Sequence, residues 1–526
     1  MRYQNLDKTA AYGRLADHAA RRKRLDFRAA LNGERVRKAQ CEMAGGLRFS
    51  WAAKDADDEA LGLLQALADE QELVEKYRAL LDGDIVNVGE KRRVLHHLLR
   101  GELGKPVIEN GRDLGDFYRG ELERVLAFAE AVRAGTIKGS TGESFTTVAQ
   151  IGIGGSDLGP RALCLALENW AARAGTKKLD ARFISNVDPD DAAAELARMP
   201  LARAVFILVS KSGSTQETLA NERFVKARLL AAGLDPSKHM VAVTSETSPL
   251  ARNPEYLDSF YIDDYIGGRY SSTSAVGGCV MALAFGARAF RDFLRGAAEA
   301  DRLALEPEML KNAALLDAMI GLWERDFLGM PCSAVLPYSQ ALSRFPAHLQ
   351  QLDMESNGKR VSRDGEPVSY PTGPAIFGEP GTNGQHSFYQ LLHQGTDVTP
   401  LQFIGFAESQ LGKDVEADGS TSQAKLNANL AAQIVAFAKG QSDKNLNKDF
   451  PGGRPSSLIY GKSLTPEALG SLLAHFENKV MFQGFAWNLN SFDQEGVQLG
   501  KVLAKKVLSG DSGDSALEEY ATMLGL

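Results

Sequence analysis

Cysteine is scarce in this 526-residue chain, and the four present (Cys41, Cys164, Cys279 and Cys332) lie far apart with no CxxC pair among them. That excludes a disulfide framework and a thiolate zinc site, and it fits free thiols in a reducing cytoplasm. Long hydrophobic runs are missing as well. No stretch approaches the roughly 18 apolar residues of a membrane helix. The opening MRYQNLDKTAAYGRLADHAARRKR has no apolar segment of the kind a secretory signal carries. Asp7 and Asp17, set among its basic residues, count against a transit peptide. A basic excess is absent too: the formal net charge is −7, which argues against a nucleic-acid binder. A small anion remains acceptable, because a local site can be positive on an acidic protein. No His, Asp or Glu cluster has metal-ligand spacing. The expectation is a cytoplasmic protein without metal, membrane or nucleic acid.

The rest of the composition is globular, with 44% hydrophobic and 24% charged residues, and the length calls for two or three domains. Residues 1–115 read as helical, with apolar positions at helical spacing in ADDEALGLLQALADEQELVEKYRALLDG and KRRVLHHLLRGEL. His96 and His97 fall inside the second pattern, and nothing beside them in sequence supports a site. From 116 onward, short apolar strands alternate with helices. The strand-like runs are TTVAQIGI (146–153), ARAVFILVS (202–210) and MVAVTS (240–245), then SAVLPYS (333–339) and LQFIGFAES (401–409). Such alternation predicts an α/β fold with parallel sheets flanked by helices, binding ligands at the carboxyl ends of the strands. Two α/β units are expected, at 116–288 and 289–500. The loop-like KGQSDKNLNKDFPGGRPSS (439–457) falls in the second, and a helical tail follows at 501–526.

Five stretches carry candidate chemistry. GIGGSDLG (152–159) resembles a dinucleotide turn, but Asp157 stands where GxGxxG needs its third small residue. A glycine loop opening a helix remains, suited to backbone contact with an anion. In SKSGSTQET (210–218), Ser210, Ser212, Ser214, Thr215 and Lys211 crowd a loop between a buried strand and a helix start. Hydroxyls, free amides and the positive end of a helix make a phosphate monoester site. The GxxxxGK[ST] pattern of nucleotide phosphates is absent. GGRYSSTS (267–274) sets Arg269 behind two glycines. QLDMESNGK (351–359), read as too polar for a core, offers the carboxylate of Glu355, and GEPGTNGQHSFYQLLHQGT (378–396) offers His386. One is a base and the other an acid near neutral pH.

Taken in order, these stretches, with VLHHLLR near residue 94 and FDQEGVQLGK (492–501), resemble the phosphoglucose isomerase family. The resemblance implies two sugar-isomerase (SIS) domains and interconversion of glucose 6-phosphate and fructose 6-phosphate without metal or cofactor. It implies that Ser210, Lys211, Ser212 and Thr215 hold the phosphate, and that Gly155, Ser156, Gln351 and Gln494 line the sugar. It makes Glu355 the base between C2 and C1, and Arg269 the stabiliser of the enediolate. His386 would assist ring opening, supported by Glu217 and Lys501. It also implies a homodimer in which His386 serves the neighbouring subunit's site. The chain departs from the family pattern at Ser272 and Thr273, where a bulky residue is common, at Gln498 in place of an acid, and at Gly213–Ser214. These departures bear on affinity and packing more than on the reaction. Two other readings compete: an isomerase of mannose or amino-sugar phosphates, and a non-catalytic phosphosugar sensor. The sensor would carry a DNA-binding or basic segment and lack the acid/base set, the reverse of what is seen.

Overall fold

A computed structural model describes residues 1–510 and 513–526. It contains two compact units, Met1–Ser491 and Phe492–Leu526. The larger holds two large sheets and two two-stranded ones. The first is purely parallel and runs in the order Asp180–Ile184, Thr147–Ile151, Ala204–Val209, Met240–Thr244, Ser259–Tyr261. Every residue of Ala204–Val209 is buried, because helices cover both faces of the sheet at its centre. Each large apolar side chain so buried contributes about 1.5–3 kcal/mol. The second strand in sequence lies at one edge and the third lies on the far side of the first. Strand order therefore reverses between Thr147–Ile151 and Ala204–Val209, where such sheets open a crevice at their carboxyl ends.

The second sheet is mixed. Ser456–Gly461, Leu401–Phe406, Cys332–Tyr338 and Ala375–Phe377 run parallel, in that order. The N-terminal pair Gln40–Glu42 and Arg48–Ala53 extends the sheet antiparallel to Ser456–Gly461. Residues 1–115, expected to be helical, thus also supply two strands to this sheet, and the loop read over 439–457 gives way to a strand at its end. Both escaped the periodicity reading because polar residues are interspersed along them, some paired across the sheet. Arg48, for example, donates to Gln40 Oε1 at 3.1 Å. Behind the sheets runs Pro466–Ala486, a helix buried on nearly every side, packed against Ala287–Leu303 and Ala313–Leu322. The smaller unit comprises the turn Glu495–Val497 and the helices Gln498–Ser509 and Ser515–Met523. Asp514 caps the last of these by accepting the Leu517 N–H at 2.9 Å. Among the described residues, no helix is long and apolar enough to cross a membrane.

Candidate active site

The strand reversal in the first sheet brings the glycine loop and the hydroxyl loop together, since each follows one of the two central strands. After Ile151 the chain makes the tight turn Gly154–Ser156 and enters the helix Leu158–Arg173. After Val209 it enters the hydroxyl loop, and the helix Gln216–Ala231 begins behind Thr215. Gly213 sits at φ +65°, and a Cβ there would lie 2.3 Å from Ser248 Oγ. Both the backbone angle and the space demand glycine, which accounts for one departure from the family pattern. Thr215 occupies the N-cap position but makes no capping bond. Its hydroxyl instead accepts from Ser210 Oγ at 3.2 Å. Ser212 and Ser214 share a hydrogen bond at 2.9 Å. A Ser/Thr cluster serving only as a cap would bond the first-turn amides, and here Thr215 leaves them available to an anion. Lys211 turns toward the approach to the arginine motif: Nζ donates to the Ile266 carbonyl at 3.2 Å and lies 3.8 Å from Asp264. Burial lowers its pKa.

The glycine loop packs directly on that arginine motif. A Cβ on Gly155 would sit 2.2 Å from the carbonyl atoms of Gly268, so only glycine permits the approach. Arg269, behind its two glycines, is 2% exposed. Its Nε donates to Ser356 Oγ at 2.7 Å and its Nη2 to the Ser491 carbonyl at 2.7 Å. The remaining Nη1 lies 3.6 Å from Glu355 Oε2, whose side chain keeps 21% exposure. A buried cation held from two sides thus faces a partly open carboxylate. Glu355 ends the π-helical turn Gln351–Glu355, a geometry that often marks functional sites. The same turn carries Gln351 toward the glycine loop, where its Nε2 lies 3.3 Å from the Cβ position of Gly154. Gln351 Oε1 is buried with no partner among the described residues, a polar atom directed at a ligand position.

This constellation has close parallels. The sequence profile described as Phosphoglucose isomerase matches residues 50–523. The chain belongs to the phosphoglucose isomerase family. A glucose-6-phosphate isomerase of Treponema denticola is 62% identical over 529 residues, covering all of both chains. One from Treponema pallidum is 60% identical over 530 residues, covering 100% of this chain and 99% of the other. The crystal structure of a glucose-6-phosphate isomerase from Chlamydia trachomatis superposes with a TM-score of 0.92 at 41% identity, covering 99% of each chain.

Against the family pattern, the structure brings together Gly155, Gln351, Arg269 and Glu355, with the hydroxyl loop at the same sheet edge. Ser156 ends the glycine turn, and its carbonyl accepts from Gln150 at 2.8 Å. Glu217 lies in the first turn of the helix behind the hydroxyl loop. His386 does not join this group. It stands exposed in the short helix Asn383–His386, beyond the edge strand Ala375–Phe377 of the other sheet. Gln494 precedes the turn Glu495–Val497, and Lys501 lies in the first turn of Gln498–Ser509, both in the smaller unit. The expectation that QLDMESNGK is too polar for a core is corrected: Ser356 and Asn357 are fully buried. Their polar groups are spent internally, Ser356 on Arg269 and Tyr270, Asn357 on the Val480 carbonyl and the Ser491 hydroxyl. Sequence reasoning missed Ser356 and Ser491 as holders of the arginine. It also set aside His96, which stacks on Tyr270 at 4.9 Å. Burial pushes the His96 pKa far down, so this ring is neutral packing against the motif.

Proposed function

We propose that this protein interconverts glucose 6-phosphate and fructose 6-phosphate, moving a proton between C2 and C1 through an enediolate. The observation that carries the reading is the buried, doubly held Arg269 opposite the partly open Glu355. Removing a proton beside a carbonyl is the hard step of aldose–ketose exchange. A fixed guanidinium offsets charge as it develops on the enediolate oxygens without having to reorganise. Glu355 is the base. The phosphate sits on Ser210, Ser212, Thr215 and the first amides of Gln216–Ala231, with Lys211 close by, and remote anchoring aligns the reacting carbons. Gly155 and Ser156 line the sugar, while Gln351 and Gln494 contact its hydroxyls.

His386 opens the sugar ring, with Glu217 and Lys501 assisting, and it works in the site of a second copy of the chain. The exposure of His386 supports that homodimer. We read the two α/β units as meeting near residue 288, and a cytoplasmic setting as fitting four free cysteines. The test is turnover of fructose 6-phosphate by the purified protein, coupled to oxidation of the glucose 6-phosphate formed. Mannose 6-phosphate serves as the competing substrate, with a chelator as control. Turnover that survives chelation and favours fructose 6-phosphate is expected. Absence of turnover, or equal use of mannose 6-phosphate, overturns the reading.

A further inference from the structure

Behind the turn that carries Glu355 lies a cavity of about 30 Å³, lined by Lys54, Asp317, Glu324, Asp353, Lys479 and Gln483 among others. Nearly all its charges are matched. Lys54 bonds both Glu324 oxygens at 2.9 and 3.0 Å. Asp317 accepts from Gln402 at 2.6 Å and lies 3.2 Å from Lys479 and 3.1 Å from His475, which holds its carboxyl far below the usual range. Arg325, the other charged group on the lining, donates to the Thr372 carbonyl at 2.8 Å. Two atoms stand apart. Asp353 is 6% exposed, and its Oδ1 has no partner among the described residues. Gln483 Oε1 is likewise buried and unpartnered, although its Nε2 reaches the Ala318 carbonyl at 3.3 Å.

Both residues line one small polar cavity, and 30 Å³ admits a water or two. Water between two acceptors, with Lys479 as a donor on the same wall, satisfies all three groups. Asp353 sits two residues before Glu355 in the same π turn, and Gln483 sits on the buried helix Pro466–Ala486. We propose that Asp353 is a positioning residue for Glu355, tied through cavity water to Gln483 and Lys479 so that the π turn holds its carboxylate against Arg269. This rests on the reading of Glu355 as the base. A π turn is a register the chain leaves easily for an α-helix, and such a change would rotate Glu355 off the guanidinium.

The test compares Asp353→Ala, Asp353→Asn and Gln483→Met in the full chain by kcat, KM, Tm and amide exchange over residues 351–356. Asp353→Ala should lower kcat by about ten- to a hundredfold, as small misplacements of catalytic groups do, leave KM within about twofold, and speed exchange in the turn. Asp353→Asn keeps the shape and a hydrogen-bonding group, and should restore most of both. Gln483→Met should follow Asp353→Ala in milder form. Burial raises the Asp353 pKa to about 7, above its unfolded value. Its contribution to stability is therefore present in acid and lost as pH rises through about 7, whereas Asp353→Asn should hold its Tm across that rise. Unchanged kcat in both Asp353→Ala and Gln483→Met, or lost kcat without faster exchange in the turn, overturns the proposal. The exchange readout does not depend on what Glu355 does, so a failure of the base assignment would show separately.

Discussion

Glu355 and His386 lie in neighbouring stretches of the chain, yet their surroundings are opposite. Glu355 is half enclosed, faced by a buried arginine and backed by fully buried Ser356 and Asn357. His386 projects to solvent from a loop that is itself firmly held: Gln385 accepts from Asn429 at 2.9 Å, and Gly384 donates to the Pro380 carbonyl at 2.9 Å. His386 is thus held in place by its loop without being enclosed. An enclosed carboxylate can be tuned by its own chain, whereas an outward-facing histidine leaves its ring to solvent.

That contrast can be broken most severely at its enclosed end. Glu355→Gln should reduce kcat by about 10³-fold, the usual share of a general base, with phosphosugar binding nearly intact by calorimetry. Isomerisation at the normal rate would remove Glu355 from the chemistry. Next, His386→Ala alone should cost about a hundredfold, and mixing it with Glu355→Gln should restore activity. Random exchange of subunits makes half the dimers mixed, each with one intact site, so about a quarter of wild-type activity should return. No recovery after demonstrated exchange would mean that each chain supplies its own histidine. The phosphate loop should behave differently from both. Ser210→Ala with Thr215→Ala should raise KM about a hundredfold while kcat moves little, since each lost hydrogen bond to a charged group is worth about 1.5 kcal/mol or more. The smallest effect is expected at the arginine's support. Ser356→Ala removes the bonds to Arg269 and Tyr270 and should lower stability by about 2 kcal/mol in denaturant titration, with kcat down a few-fold.

The central parallel strands were legible because a buried strand writes itself as an apolar run: ARAVFILVS and MVAVTS match Ala204–Val209 and Met240–Thr244 within a residue or two at each end. The hydroxyl loop was legible for a related reason, since four hydroxyls behind such a strand serve no core. Arg269 was harder. Its burial depends on Ser356 and Ser491, residues distant in sequence that carry no mark of the arginine they hold. The same holds for Asp353, whose chemistry comes from the cavity wall and not from its neighbours in the chain. Edge strands such as Gln40–Glu42 and Ala375–Phe377 are too short to show a period and exist by pairing alone. Features made by one continuous segment can be read in advance; those made by the meeting of segments become visible only when folded.

The strand pair near the N-terminus has a consequence for the order of events during synthesis. Arg48–Ala53 pairs with Ser456–Gly461, near the far end of the chain, whereas the first sheet closes within residues 147–261. At ribosomal speeds of about 5–20 residues per second, the early strand waits on the order of tens of seconds for its partner. Through that interval Phe49 and Trp51, both buried in the finished protein, have no sheet to join. The nascent chain therefore carries a sticky apolar edge for most of its translation, and a holding chaperone would find its natural target there.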